Sequence, residues 1–216
     1  MKNIEEMEKI DLNTLDSYLF SEDKLFAKNK ITGREILINI ELDEYPDNPR
    51  EWEPLTKIIT VAGNWDVGDE SCSHDKFGKT VEGLANNENV LARLLYMYEH
   101  SGMTISLTPF NDPWDSGICG VIFIDKKTIE KNYGKTEDWK KVAQQIIEAD
   151  VRLFDEYLTG DVHVLQLLDP NTENTIDSLS GFYGQVKTSD LQEFIAENTE
   201  VEEERDIKNW DIYAIN

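Results

Sequence analysis

His100, Ser101 and Asp115 bring an imidazole, a hydroxyl and a carboxylate into one short stretch, Tyr98–Gly120 (YEHSGMTISLTPFNDPWDSGICG). These are the residue types of acyl transfer, with histidine as base, serine as nucleophile and aspartate as the group that orients the ring. The spacing works against that chemistry as written. Neighbouring residues of a strand point to opposite faces, so His100 and Ser101 would turn away from each other. No GxSxG elbow presents a serine elsewhere, although Ser106 or Ser116 could approach His100 in space. The plainer role for His100 is to close a hairpin by bonding backbone or Asp115.

The same stretch and the loop before it hold candidate metal ligands: Asp66, Asp69, Glu70, His74, Glu99, His100, Asp112 and Asp115. Asp69, Glu70 and His74 form the tightest group. Carboxylates with one or two imidazoles suit magnesium, manganese, calcium or non-haem iron. None of the spacings is that of an EF-hand loop or an HExxH helix, and neither a P-loop nor GxGxxG occurs. No cofactor is therefore expected, a divalent metal being the one that these residue types would admit.

The third chemistry is charge itself. With 44 acidic against 21 basic residues, the formal net charge is −23. Such a chain repels nucleic acid and anionic membranes and attracts basic partners. The acids gather in runs: 41–53, 66–75, the polar side of a helix at 137–158, and 193–211. Glu148, Asp155 and Glu156 on that helix, and Glu202, Glu203 and Glu204 near the end, are the candidate binding residues. A folded surface of carboxylates can occupy a basic cleft built for phosphates.

These groups need a scaffold, and hydropathy patterning outlines one. KLFAKNKITGREILINIEL reads as a hairpin, with Ile36, Ile38 and Ile40 on one face and Leu37 and Leu42 on the other. Further strands are expected at 57–62, 91–100, 103–109, 118–125 and 162–168, with a broken strand at 176–184. Residues 126–133 read as a short helix between Asp125 as N-cap and Gly134 as stop. Trp139, Val142, Ile146, Ala149, Leu153 and Tyr157 recur every three or four residues, which predicts one long amphipathic helix over 137–158. A short helix is expected within 80–89, and another from a Ser189 cap to about Ala196. With no β-α-β alternation, the fold class is α+β: an antiparallel sheet with helices packed mainly on one face. The expected organisation is an N-terminal helical segment at 1–20, a single α+β domain at 21–197 and an acidic C-terminal tail at 198–216.

Cys72 and Cys119 are the only cysteines, so no disulfide framework is expected. The acidic N-terminus lacks the apolar core of a signal peptide, and no run is long enough to span a membrane. The expectation is a cytosolic protein.

The blocks NPREWEPL, GNWDVGDE, YEHSGMTISLTPFNDPWDSG, YLTGDVHVLQL and SGFYG, spread over Ile38 to Gly184, resemble a family of uncharacterised proteins of bacteriophages and other mobile elements of Gram-positive bacteria. The YEHSG…PWDSG block is the specific one. The chain departs from the family pattern after Lys57, where Gly68-Asp69-Glu70 is followed by Ser71 rather than histidine, and the nearest histidine is His74. The resemblance implies a mobile-element origin and no particular mechanism.

The function expected from charge and resemblance is that of an acidic, non-enzymatic protein. It would bind and inhibit a basic host partner, such as a nuclease or defence effector, in the bacterial cytosol, by DNA mimicry and without contacting nucleic acid or membrane. The alternatives are a small hydrolase or metal-dependent enzyme with its site near His100 and Asp115, and a small-ligand-binding module at the same loops.

Overall fold

A computed structural model describes residues 7–20, 23–61 and 67–215. Candidate residue Asp66 lies outside them, as does the beginning of the expected N-terminal helical segment. The fold is α+β. The chain forms two compact units rather than the single body expected at 21–197: residues 1–46 with 160–216, and residues 47–159.

The first unit is built on a six-stranded antiparallel sheet. Its strands are β1 (Glu8–Ile10), β2 (Lys24–Asn29), β3 (Glu35–Leu42), then β9 (Val162–Leu168), β10 (Thr175–Tyr183) and β11 (Trp210–Ala214), in the spatial order β1-β11-β2-β3-β9-β10. The β2–β3 hairpin turns at Gly33, which takes a φ of +76° that few other residues adopt. Alternation along β3 places Ile36, Ile38 and Ile40 in the main core with Leu25, Ala27, Leu165 and Leu167. Leu37 packs on the other face with Phe26 and Leu168, while Leu42 is exposed. The helix α4 (Thr188–Glu197) closes the main core with Leu191, Phe194 and Ile195. Its cap is not Ser189. The Lys187 N–H donates to Asp190, and Asp16 accepts the N–H of Thr188 at 2.7 Å.

Both ends of this unit differ from expectation. Where a helical N-terminal segment is expected, residues 8–10 are a strand and Leu12–Tyr18 a 3-10 helix. Where an acidic tail is expected at 198–216, Trp210–Ala214 is an interior strand, paired with β1 on one side and β2 on the other. The apolar alternation of Trp210 and Ile212, both buried, accounts for this: burying that face outweighs the cost of ordering an otherwise charged segment.

The second unit is inserted in the chain between β3 and β9, two adjacent strands of the first sheet. Its own sheet has the order β5-β4-β8-β6-β7, with β4 (Lys57–Val61), β5 (Glu70–Cys72), β6 (Val90–Glu99), β7 (Met103–Ser106) and β8 (Ser116–Asp125). All pairs are antiparallel except β4–β5. Gly120 on β8 lets β4 approach closely, since a Cβ there would meet the Ile59 carbonyl oxygen at 2.7 Å. The helix α1 (His74–Ala85) leans on β6 without burying any side chain fully. The helix α2 (Lys126–Tyr133) starts at the Asp125 cap and stops at Gly134, with φ +80°.

The long helix α3 (Trp139–Thr159) covers one face of this sheet. Its buried line is Trp139, Ala143, Ile147, Val151 and Phe154, against Ile58, Leu95, Ile122 and Ile124. The stripe expected from sequence is rotated away from this line. Trp139 is common to both, but Ile146 and Leu153 are only half-buried and Ala149 is exposed. Two adjacent apolar stripes run along this helix: one is buried in the core, and Val142, Ile146 and Tyr157 of the other pack against that core while only half-buried.

Candidate functional site

The β6–β7 hairpin brings His100 and Asp115 together. Nδ1 of His100 lies 3.2 Å from Oδ2 of Asp115, and the Glu99 N–H donates to the Asp115 carbonyl at 2.9 Å. The His100 ring stacks on Tyr98 at 6.3 Å between centroids, and Tyr98 also meets Phe110 at 5.8 Å. The pair is open to solvent, the side chains being 68% and 42% exposed. Ser101 does not complete a triad. It occupies the hairpin turn with φ +58°, and its hydroxyl donates to the His100 carbonyl at 2.6 Å rather than to the ring. Ser116 likewise donates to the Asp112 carbonyl, and Ser106 bonds Thr108. A base and an orienting carboxylate are present, but each nearby hydroxyl is engaged elsewhere.

The residue that organises the Pro/Trp/Asp loop is Asp112. Its carboxylate accepts the N–H groups of Trp114 at 2.8 Å and Asp115 at 3.0 Å, an Asx turn legible in Asn-Asp-Pro. The Asp115 and Trp114 backbone donors hold the Asp112 carboxyl below its ordinary range. A small cavity of about 200 Å³ lies beside this loop, lined by Met97, Glu99 and residues 114–118. Among the described residues, none of 67–74 lines it.

The candidate metal ligands separate. Asp69 is held in a two-pronged pair with Arg50, whose Nε and Nη2 lie 3.0 and 2.6 Å from its two oxygens, and it also accepts the Ile58 N–H at 2.7 Å. Such a fork uses both oxygens and both donors at fixed geometry. Arg50, with only 8% of its side chain exposed, further donates to the Thr56 hydroxyl and carbonyl and lies 6.0 Å from the Phe154 ring centre. Asp69 is therefore a structural clip, which removes it from the Asp69, Glu70 and His74 group. Glu70 begins β5 and His74 begins α1, both exposed. Among the described residues, no three His, Cys, Asp or Glu side chains are arranged to hold a metal ion. Arg50 was not singled out from sequence, although it is the one base between Arg34 and Lys57 in a strongly acidic run.

The six candidate binding acids fall into two kinds. Asp155 accepts the Thr104 hydroxyl at 2.6 Å and the Ile105 N–H at 2.7 Å, so it caps the outer edge of β7 instead of facing a partner. Glu204 is 4% exposed and receives Arg34 at 2.7 Å and the hydroxyls of Thr32 and Thr199, each at 2.8 Å. Burial alone would raise its pKa, but these donors together outweigh burial and hold it below the ordinary glutamate value. These two acids are corrected from surface ligands to internal anchors. Glu148, bonded by Gln144, and Glu202 and Glu203 are exposed; Glu156 lies 3.9 Å from Arg152.

Glu204 anchors the segment around it. The Trp210 indole N–H donates to the Glu204 carbonyl at 2.8 Å, and the amides of Asn29 and Asn209 donate to the Glu203 carbonyl at 3.2 and 2.9 Å. Gln192 on α4 accepts the Ile207 N–H at 2.7 Å and donates to the Arg205 carbonyl. The result is a fixed surface on which Glu193, Glu197, Glu200, Glu202, Glu203 and Asp206 are all exposed.

Cys119 is buried on β8, its thiol bonded to the Leu95 carbonyl and pushed up to about 12 by burial. No helix among the described residues is long and apolar enough to cross a membrane. Neither a protein-family model, a curated protein nor a solved structure matches the chain.

Proposed function

We propose that this chain is a non-enzymatic interaction protein whose acidic surface at residues 193–206 binds a basic, nucleic-acid-handling partner, and inhibits it by filling the cleft where phosphates would lie. The observation that carries this reading is the anchored acidic segment: six exposed carboxylates within fourteen residues, held on a scaffold by Glu204 and Trp210. An acidic run in a loose tail would have to be ordered at the moment of binding; one already held by the sheet avoids most of that cost. The distribution of charge supports the same surface. The unit that carries it holds 24 of the acids against 9 bases, a net −15, whereas the other holds 20 against 12, a net −8. The resemblance to mobile-element proteins makes a host defence enzyme the natural class of partner.

The test compares the wild type with a variant in which the six exposed acids are neutralised to Gln or Asn while Glu204 is kept. Wild type immobilised at low salt should capture a basic protein from a bacterial lysate, and the variant should not. The captured complex should weaken as salt rises, mainly through slower association, because exposed charges are screened beyond ~8 Å at physiological ionic strength. His100→Ala and Ser101→Ala should leave the interaction intact. Equal capture by both proteins, or a complex indifferent to salt, overturns the proposal.

A further inference from the structure

Three of the four edge strands of the two sheets are short. β1 and β5 have three residues each, and β7 has four, with the outward Ile105 N–H already taken by Asp155. The fourth edge strand, β10, has nine residues, and 175–181 are all exposed. Edges are ordinarily protected by short length, lysine or proline, whereas the one charged residue of β10 is Asp177. Two bulges, at Ile176 and at Ser180–Gly181, bend its ends and leave Asp177–Leu179 in regular register between them.

The ladder fixes which backbone groups β10 turns outward. The Asp43 N–H donates to the Val162 carbonyl at 2.7 Å, and the Asp169 N–H donates to the Asn174 carbonyl at 2.9 Å. Alternation along β9 therefore points its even-numbered residues toward β3 and its odd-numbered ones toward β10. Leu165 and Leu167 bond Leu179 and Asp177, and Ser178 between them directs its N–H and carbonyl away from the sheet. Among the described residues, neither group has a partner. On the core side of the sheet, Leu179 prolongs the row Ile40–Leu165 while 40% exposed, and Asp177 prolongs the row Ile38–Leu167. A strand laid against β10 pairs its central residue with Ser178 and sets the two neighbours of that residue beside Leu179 and Asp177. The first place suits a branched apolar side chain, the second a lysine or arginine. The net charge of −15 on this unit favours a cationic partner and opposes a second copy of the chain. We infer that β10 takes up an extended segment of a basic protein as an added antiparallel strand, recognised by an apolar residue two positions before a basic one. The inference stands apart from the role proposed for 193–206.

Three blocked nonapeptides serve as probes: polythreonine with a central Val-Thr-Lys, the same composition with valine and lysine exchanged, and the first peptide with its central threonine N-methylated. Each is titrated into the full ¹⁵N-labelled chain at physiological salt. The Leu179 amide shift gives the affinity, and hydrogen exchange of the Ser178 amide reports its bonding. The first peptide should bind and slow exchange at Ser178. Exchanging valine and lysine should weaken binding by about three- to tenfold, the scale of two cross-strand pairs. N-methylation, which removes the donor aimed at the Ser178 carbonyl, should abolish binding. Ser178→Pro removes an outward N–H and no ladder bond, so it should abolish binding with an unchanged melting temperature, while Ser178→Ala should bind as the wild type does. The N-methylated peptide needs no variant and keeps the test available should Ser178→Pro fold poorly. Equal binding of the two orders of valine and lysine overturns the inference. So does unaltered exchange at Ser178, or a wild-type dimer in sedimentation that Ser178→Pro dissociates.

Discussion

Replacing Glu204 by Gln tests whether the acidic segment is anchored or merely adjacent to the sheet. The substitution keeps the side-chain shape, removes the charge and turns one acceptor into a donor. Three donors now converge on the carboxylate: Arg34 at 2.7 Å and the Thr32 and Thr199 hydroxyls at 2.8 Å. Hydrogen bonds to a charged group contribute about 1.5–3 kcal/mol each, and breaking a buried ion pair costs about 3–5 kcal/mol. Arg34 is one-third exposed and recovers hydration when its partner is lost, which places the expected cost at the lower end, about 3 kcal/mol. The corresponding fall in melting temperature is roughly 6–12 °C. The pH dependence is the sharper signature. The folded-state pKa of Glu204 lies below the ordinary 4.5, so its contribution is fully present above 4.5 and is lost as the pH falls through the lower folded value. Urea unfolding of wild type and Glu204→Gln from pH 7 to pH 3 should show a difference that is constant above about pH 5.5 and shrinks below 4.5. Because both proteins share every other carboxylate, the general acid sensitivity of so charged a chain cancels in that difference. Equal stability at pH 7, or a difference that stays constant down to pH 3, would refute the anchoring argument.

Two further substitutions test the placement of α3. Ile147→Ala should cost about 2–5 kcal/mol in denaturant unfolding, as large-to-small changes in a closed core do, whereas Ile146→Ala, half-buried on an open cavity, should cost about 1 kcal/mol; the reverse order would mean that the helix is rotated from its described position. Asp155→Ala should cost about 2–3 kcal/mol, because it strands the outward Ile105 N–H and the Thr104 hydroxyl, while Glu148→Ala on the same helix should stay within about 0.5 kcal/mol; similar values for the two would mean that Asp155 is a surface acid after all.

Local patterning was legible wherever a strand or helix is decided by its own residues. The β2–β3 hairpin, β8 and α2 follow from alternation, Gly33, the Asp125 cap and Gly134. What sequence does not carry is which of two apolar stripes a helix buries. On α3 the line through Ile147 and the line through Ile146 both repeat at helical spacing, and only the shape of the sheet beneath selects one. The same limit explains β11: five residues after a charge run look like a tail until a gap between β1 and β2 supplies partners on both edges. At the candidate site the His100–Asp115 contact was foreseeable from the hairpin, because strand pairing sets Glu99 against Met103 and Tyr98 against Ser116. Arg50 was not, since its meaning lies in a fork to Asp69 across nineteen residues of chain.

Acidic residues in this chain therefore do two jobs that composition cannot separate. Asp69, Asp155 and Glu204 are spent internally: each accepts at least two short hydrogen bonds, from a backbone N–H, a threonine hydroxyl or an arginine. A carboxylate in such a setting adds little field at the surface, because a nearby cation or oriented dipole offsets it. Other acids stay on display, and Glu193, Glu197, Glu200, Glu202, Glu203 and Asp206 of the first unit do so within the single segment 193–206. The internal anchor and the displayed acids lie next to one another in sequence, Glu204 being followed two residues on by Asp206 and preceded by Glu202 and Glu203. One buried glutamate thus fixes the position of its exposed neighbours. Neutralising the displayed acids should change the field and spare the fold, whereas neutralising Glu204 should loosen the surface while removing only one charge.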